Sequence, residues 1–328
     1  MNIRIAAIAA AALVLAAPAS AQQKLKFAHV YETSEPYHTA AVWAAGEIGK
    51  RTANRYTMDV FPASSLGKET DINQGLTLGT VDVIYTGQLF AERSYRPIAI
   101  GGAPFMFRDF EHWKKYSQSG LFRELSDGYQ KGSGGNKIVA ITYYGNRQTT
   151  ANKALNKPDD MKGLKIRVPD APLYTLFPKA VGANPTPIAF AEVYLALQNK
   201  TVDAQENPLP TIDAKKFYEV QSHINITAHI TDALLSIIGA PLWAKLSEAD
   251  RRTFTAVFQE AATKATGEII EIEKKLMTDF SKRGKTVVMV DRKPFMAAVQ
   301  KYYAQGKQPD GSALPWPKDV YDKLQAIK

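Results

Sequence analysis

Cysteine is missing from this 328-residue chain. That excludes disulfides, zinc-thiolate sites and cysteine nucleophiles, and leaves burial alone to hold the fold. Long apolar runs are also missing, except for residues 5–17 near the start, and that run is shorter than the roughly 20 residues needed to span a bilayer. There is no H-E-x-x-H, no G-x-S-x-G, no Walker loop and no G-x-G-x-x-G opening a helix. The segment GSGGN (132–136) is glycine-rich, but it precedes a strand and reads as a plain loop. The five histidines, at positions 29, 38, 112, 223 and 229, show no metal-ligand spacing. Acidic pairs such as Asp159 with Asp160 and Glu271 with Glu273 read as solvated faces. No catalytic constellation emerges, so the sequence argues against an enzyme and implies no cofactor.

What is present begins with a leader. Arg4, the apolar run, and then Ala19, Ser20 and Ala21 form the pattern of a secretory signal peptide cut after Ala21. Taking those 21 residues from 328 leaves 307, a length for about two domains. Removing Arg4 takes the formal charge from +9 to +8. The charges are dispersed, with no basic run interleaved with aromatics, which argues against nucleic acid and for attraction of small anions.

Strand and helix then alternate. KLKFAHV (24–30), RYTMDVF (55–61) and TVDVIYT (80–86) read as strands, with helices over 36–54 and 68–78 between them. After a segment rich in glycine, proline and aromatics, 137–144, 164–168 and 201–205 read as further strands, and 189–198 as a helix. The class is α/β. One weak internal repeat sets LTLGTVDVIYTG (76–87) against LALQNKTVDAQEN (195–207), each passing from helix to strand through Thr-Val-Asp. From Ser247 a helix of more than thirty residues is expected. Ser247 is its cap, Asp250 completes a capping box and Gly284 marks its end. Phe254, Phe258, Ala261, Ala265, Ile269, Ile272, Leu276 and Phe280 form one apolar stripe along it. At about 1.5 Å per residue this helix is longer than one small domain, so it is expected to cross two lobes.

Two arginines carry the functional expectation. In GLKIRVPDAPLY (163–174), Arg167 lies opposite Ile166 and Val168 in a strand that Pro169 ends. It therefore sits at a carboxyl end, where open α/β sheets place their ligand crevices. Arg147 is expected just beyond the end of the strand KIVAITYY, with Gly145 freeing the backbone before it. A guanidinium presents a planar fork that grips a carboxylate through two hydrogen bonds.

At this point GNRQTTANKAL, MKGLKIRVPDA, GANPTPIAFAEVYLALQNKTVDAQENPL and AKKFYEVQ resemble the solute-binding proteins of tripartite ATP-independent periplasmic (TRAP) transporters, over essentially the whole mature chain. The resemblance implies a periplasmic protein with two α/β lobes around a ligand cleft. One lobe would comprise 22–144 with about 233–272, the other 145–232 with about 273–328. The long helix would span both. It implies capture of an organic acid, delivered to membrane permease subunits by a monomeric binding protein.

By the same resemblance, Arg167 matches the arginine that bridges the substrate carboxylate. Arg147 matches a second arginine used by a subset that includes the sialic-acid binders. Asn207 matches an asparagine reaching the same carboxylate, Phe190 a ring that packs on the ligand, and Glu69 an acid near ligand hydroxyls. Gly87 stands where the sialic-acid members carry a glutamate, which weighs against sialic acid. A sugar acid, a keto acid or a small dicarboxylate remains open. Tyr31 and Gln88, at expected strand ends, are candidates for the contacts that choose among them. An exported enzyme acting on a carboxylate and a protein-binding ectodomain are the alternatives from other classes.

Overall fold

A computed structural model describes residues 22–328; the leader and its cleavage site fall outside the described residues. Nine strands form one sheet: β1 (Gln23–Ala28), β2 (Tyr56–Phe61), β3 (Val83–Gly87), β4 (Lys137–Ala151), β5 (Lys165–Val168), β6 (Asn184–Pro187), β7 (Ala204–Pro208), β8 (His223–Ile238) and β9 (Thr286–Met289). Their order is β2-β1-β3-β8-β4-β7-β5-β6, with β9 beside the first part of β8. Parallel pairs β1–β2 and β1–β3 build one half, and parallel pairs β5–β6 and β5–β7 build the other. Helices link the parallel strands, as crossover geometry demands. The result is α/β with two lobes.

The halves are joined by the two long antiparallel strands. β8 pairs with β3 through Leu234–Ile238 and with β4 along most of its length. β4 continues into the other half of the sheet to pair with β7 through residues 147–151. The expected end of this strand at residue 144 is therefore corrected: β4 runs on to Ala151, and Arg147 lies inside it. The chain passes Gly145 at φ +119°, a conformation suited to glycine. A Cβ there would stand 2.7 Å from Pro208 Cβ and 2.8 Å from Glu273 Oε1. Register shifts flank it at Tyr143/Gly145 and Arg147/Thr149, and such bulges bend a strand and re-aim its side chains. β8 goes unread in the sequence because its second half is buried on both faces, which removes the period-two signal.

The weak repeat turns out to be one structure used twice. The N–H groups of Thr80 and Val81 both donate to Gly75 O, at 2.9 and 3.3 Å, and those of Thr201 and Val202 to Ala196 O, at 2.9 and 3.3 Å. Asp82 Oδ2 then accepts from the Lys26 N–H at 2.8 Å, while Asp203 Oδ2 accepts from that of Lys165 at 3.0 Å. Each aspartate ties its incoming strand to the first strand of its lobe.

The long helix runs from Glu248 to Lys282, 35 residues and about 52 Å at 1.5 Å per residue. Ser247 caps it by accepting from the Asp250 N–H at 3.1 Å. The reciprocal half of the capping box is replaced, because the Asp250 carboxylate takes the Ser247 hydroxyl and the Arg55 guanidinium instead. Of the expected stripe, Ile272 is half-buried and the rest is buried. Arg51 grips Glu260 with two hydrogen bonds of 2.7 and 2.8 Å on the first lobe, and Arg283 pairs with Asp213 on the second. Between them Glu273 accepts from Asn146 N at 2.8 Å and Tyr143 Oη at 2.9 Å, pinning the helix beside Gly145. Among the described residues no helix is long and apolar enough to cross a membrane.

Candidate functional site

The strand ends of both lobes face each other across a cleft. Its walls include Tyr31, Glu69, Gly87, Phe90, Tyr144, Arg147, Arg167, Tyr174, Phe190 and Asn207. Six of the seven residues singled out in the sequence are thereby brought together. Gln88 is not. It opens a 3-10 turn (Gln88–Arg93) whose geometry turns its side chain into the first lobe, where Nε2 donates to Ile98 O at 3.0 Å and to Tyr116 Oη at 3.1 Å.

Arg167 is 2 % exposed on a strand whose neighbours on either side pair with it in register. Nε and Nη2 both donate to Ile188 O, at 2.9 and 2.7 Å. Nη1 is buried with no hydrogen-bond partner, and no carboxylate among the described residues lies within ion-pair distance of this guanidinium. Burial pushes its pKa down to about 10, against the pull of Glu206. A buried donor without a partner costs on the order of 1–3 kcal/mol, more for a charged group. The unpaired edge of the guanidinium is the one formed by Nη1 and Nη2, and its Cζ lies 5.9 Å from the centre of the Phe190 ring.

Arg147 is the opposite case. Nε pairs with Glu206 Oε2, Nη2 donates to Glu206 Oε1 at 2.7 Å and to Asn207 Oδ1 at 3.2 Å, and Nη1 meets Asp232 Oδ2 at 3.0 Å. Burial works against its charge, but Glu206, Tyr174 and Asp232 outweigh that and hold its pKa well above the usual range. Glu206 is held below the usual carboxylate range despite its burial, chiefly by Arg147. His229, buried and pushed toward the neutral form, reaches the same carboxylate at 3.2 Å. Two acids therefore already match the charge of Arg147.

The first lobe contributes a different surface. Glu69 begins the helix Glu69–Leu78, and its Oε1 accepts from the Gly87 N–H at 2.7 Å and the Thr86 hydroxyl at 2.9 Å. Burial pushes its carboxyl up to about 7. Tyr31 packs with its ring centre 5.3 Å from Tyr144 and 6.2 Å from Phe190, so aromatic faces from both lobes meet. Across the mouth, Lys215 Nζ reaches Glu32 at 2.7 Å, Thr211 donates to the buried Glu35 carboxylate at 2.6 Å, and Arg93 donates to Asp170 O at 2.9 Å. The space left inside is about 20 Å³, enough for about one water position, so any organic acid needs the lobes to part.

Sequence reasoning missed Tyr144, Tyr174, Glu206 and Asp232. Glu206 stands beside Asn207 in QENP, and Tyr174 closes the stretch GLKIRVPDAPLY that holds Arg167, so adjacency was an available signal for both. Asp232 lies in β8, which was not read as a strand. Among the described residues no cluster of histidines and acids could hold a metal.

Comparison with known proteins bears on this arrangement. A model of the bacterial extracellular solute-binding proteins, family 7, matches residues 27–308. The sialic acid-binding periplasmic protein SiaP of Vibrio cholerae is 34 % identical over 304 residues, 91 % of this chain and 92 % of that one. The solute-binding protein RD1_1052 of Roseobacter denitrificans is 35 % identical over 88 % of this chain and 89 % of its own. Its crystal structure with bound L-galactonate superposes with a TM-score of 0.85, at 29 % identity, over 93 % of this chain and 98 % of that one. A TRAP periplasmic solute-binding protein from Polaromonas, bound to D-erythronate, gives a TM-score of 0.87 at 32 % identity, covering 93 % and 99 %. The chain belongs to the family-7 bacterial extracellular solute-binding proteins, the family of the binding subunits of TRAP transporters.

Proposed function

We propose that this protein is the periplasmic capture subunit of a TRAP transporter for a hydroxylated monocarboxylate, a sugar acid of about four to six carbons, with Arg167 holding the carboxylate. The observation that carries the reading is the buried guanidinium whose Nη1 has no partner. Its Nη1–Nη2 edge offers two parallel donors, the geometry that a carboxylate accepts two-handed. Arg147, balanced by Glu206 and Asp232, then acts by position. It orders Asn207 and supports the floor of the cleft. Tyr31 and Phe190 cover the carbon chain, and Glu69 meets hydroxyls.

Charge counting separates the sugar acid from the dicarboxylate alternative. With Arg147 balanced, Arg167 is the one cation lining the cleft that no acid matches among the described residues, and Lys215 at the mouth is paired with Glu32. A second carboxylate would enter beside Glu69 and Asp232 without a countercharge, which is costly in a buried setting. The erythronate and galactonate bound by the two solved relatives are monocarboxylates with hydroxylated chains.

The same reading includes export with cleavage after Ala21, a monomer that hands its ligand to permease subunits, and closure of two lobes comprising about 22–144 with 233–272 and 145–232 with 273–328. Ligand contacts from both lobes favour the closed form by their differential affinity for it.

The test is calorimetric titration of mature protein, refolded to strip copurified ligand, with aldonic acids and succinate. Arg167→Ala should weaken binding by about 2–5 kcal/mol, and Arg167→Lys should not restore it because a point charge cannot replace the fork. Wild-type affinity in both variants would overturn the assignment.

A further inference from the structure

The wall of the cleft beside Gly87 comes from the opposite lobe. Tyr174 lies in a short 3-10 turn, Pro172–Thr175, that follows β5, and it is 3 % exposed. The Arg147 guanidinium stands over its ring at 5.0 Å, and Phe90 packs at 6.4 Å between ring centres. Its hydroxyl donates to Asp232 Oδ2 at 3.2 Å, and that same oxygen takes Arg147 Nη1 at 3.0 Å. The phenol is thus held at its face and at its tip.

Its position is reciprocal to the side chain missing at residue 87. A Cβ built on Gly87 would stand 3.1 Å from Tyr174 Oη, 3.6 Å from Phe90 and 3.7 Å from Glu69 Oε1. A longer side chain there would collide with the phenol, so the tyrosine fills volume that a residue-87 side chain or a longer ligand would otherwise use. The chemistry is equally directed. With its proton committed to Asp232, Tyr174 turns an oxygen lone pair toward the cleft. A ligand hydroxyl can donate to it. A second carboxylate would face that lone pair with Asp232 behind it and Glu69 beside it.

We propose that Tyr174 is a specificity-determining residue: its ring limits ligand length on the Gly87 side, and its oxygen selects a hydroxyl over a second carboxylate. The inference rests on the reading that Arg167 holds the first carboxylate, which fixes where the far end of the ligand falls.

The experiment titrates wild type, Tyr174→Ala, Tyr174→Phe and Arg167→Ala with D-erythronate, L-galactonate and succinate. In Tyr174→Ala the affinity ratio of galactonate to erythronate should rise about tenfold, since space for one or two chain units is worth that much. In Tyr174→Phe, erythronate should weaken about fivefold through loss of one hydrogen bond, while succinate weakens less, so the ratio between them narrows. If Arg167→Ala loses binding but both ratios stay at wild-type values, the role of Tyr174 falls and the carboxylate reading stands. If Arg167→Ala binds like wild type, or wild type binds none of the three acids, the carboxylate reading falls and takes this inference with it. Should Tyr174→Ala fail to fold by circular dichroism, the ratio in Tyr174→Phe decides.

Discussion

The two lobes share a frame and differ in what they hang on it. In each, an aspartate after Thr-Val carries its side chain to the first strand of its lobe, at Lys26 and at Lys165. Stepping outward in register, Ile84 of β3 pairs with Ala28 in the first lobe where Gln205 of β7 pairs with Arg167 in the second. Two further positions along, the first lobe has Tyr85 and Thr86 where the second has Glu206 and Asn207. One alternation of strand and helix thus supports an alanine in one lobe and a buried guanidinium in the other. The buried cations of the cleft, Arg147 and Arg167, lie in the second lobe, and the first supplies an aromatic and hydroxyl-bearing surface. Chain topology decides where a site can be, and single positions at strand ends decide which partner supplies its charge.

The comparison breaks most sharply at its ion pair. Glu206→Ala should destabilise the protein by about 3–5 kcal/mol, because it strips Arg147 of its two-handed partner in a buried setting. Its counterpart Tyr85→Phe should cost about 1 kcal/mol. Urea unfolding of both variants checks the contrast, and equal losses would remove the asymmetry.

Acid dependence should differ between the buried acids as well. Burial, resisted by hydrogen bonds from the Thr211 hydroxyl and the Glu32 N–H and by the charge of Lys215, pushes the Glu35 carboxyl up to about 7. The native state then holds that proton more tightly than the unfolded chain, so stability is full below the unfolded value near 4.5 and declines as pH rises toward 7. A shift of this size corresponds to at most about 3 kcal/mol. Glu35→Gln should flatten that slope in melts taken from pH 4.5 to 7.5. Glu206 has the opposite sign: held below its usual range, it contributes stability that is present above the unfolded value and is lost as pH falls through the folded one.

Ligand affinity offers a finer comparison. Asn207 Oδ1 accepts from Arg147 at 3.2 Å and from Tyr144 Oη at 3.4 Å, whereas Thr86 joins Asn73 to Glu69. Titration with erythronate should show Asn207→Ala weakening binding by about 1–2 kcal/mol and Thr86→Ala by about half of that. The smallest difference belongs to the shared frame. Asp82→Ala and Asp203→Ala should each cost about 1 kcal/mol in urea unfolding and agree within a few tenths. Unequal losses would mean that the two turns are alike in outline only.

Much of this frame was legible in the sequence because periodicity and turn chemistry are local. The early strands, the helix Pro36–Arg51, expected to reach residue 54, and the long helix with its Ser247 cap follow from apolar spacing and from a few capping residues. β6, β8 and β9 were not read. β6 has the sequence NPTP, and prolines suit an edge strand while hiding it. β8 carries Asn225, His229 and Asp232 among its apolar residues because those side chains also reach Thr149 of β4, Glu206 of β7 and Arg147. The cleft shows the same division. Arg167 could be placed from Pro169 and the strand before it. The balancing of Arg147 could not, since Glu206 and Asp232 lie 59 and 85 residues away, and Gln88 was misplaced because one turn of 3-10 geometry carries its side chain away from the strand end.

The passage of β8 between the lobes has a consequence for the newborn chain. β3 finds its outer partner only in Leu234–Ile238, so the first lobe's sheet keeps an open edge until more than two thirds of the polypeptide has been made. An open edge of buried-type residues invites pairing with another chain. The amino-terminal half of a chain of this design stays incomplete until its late strand arrives, and until then it depends on being kept apart from its neighbours.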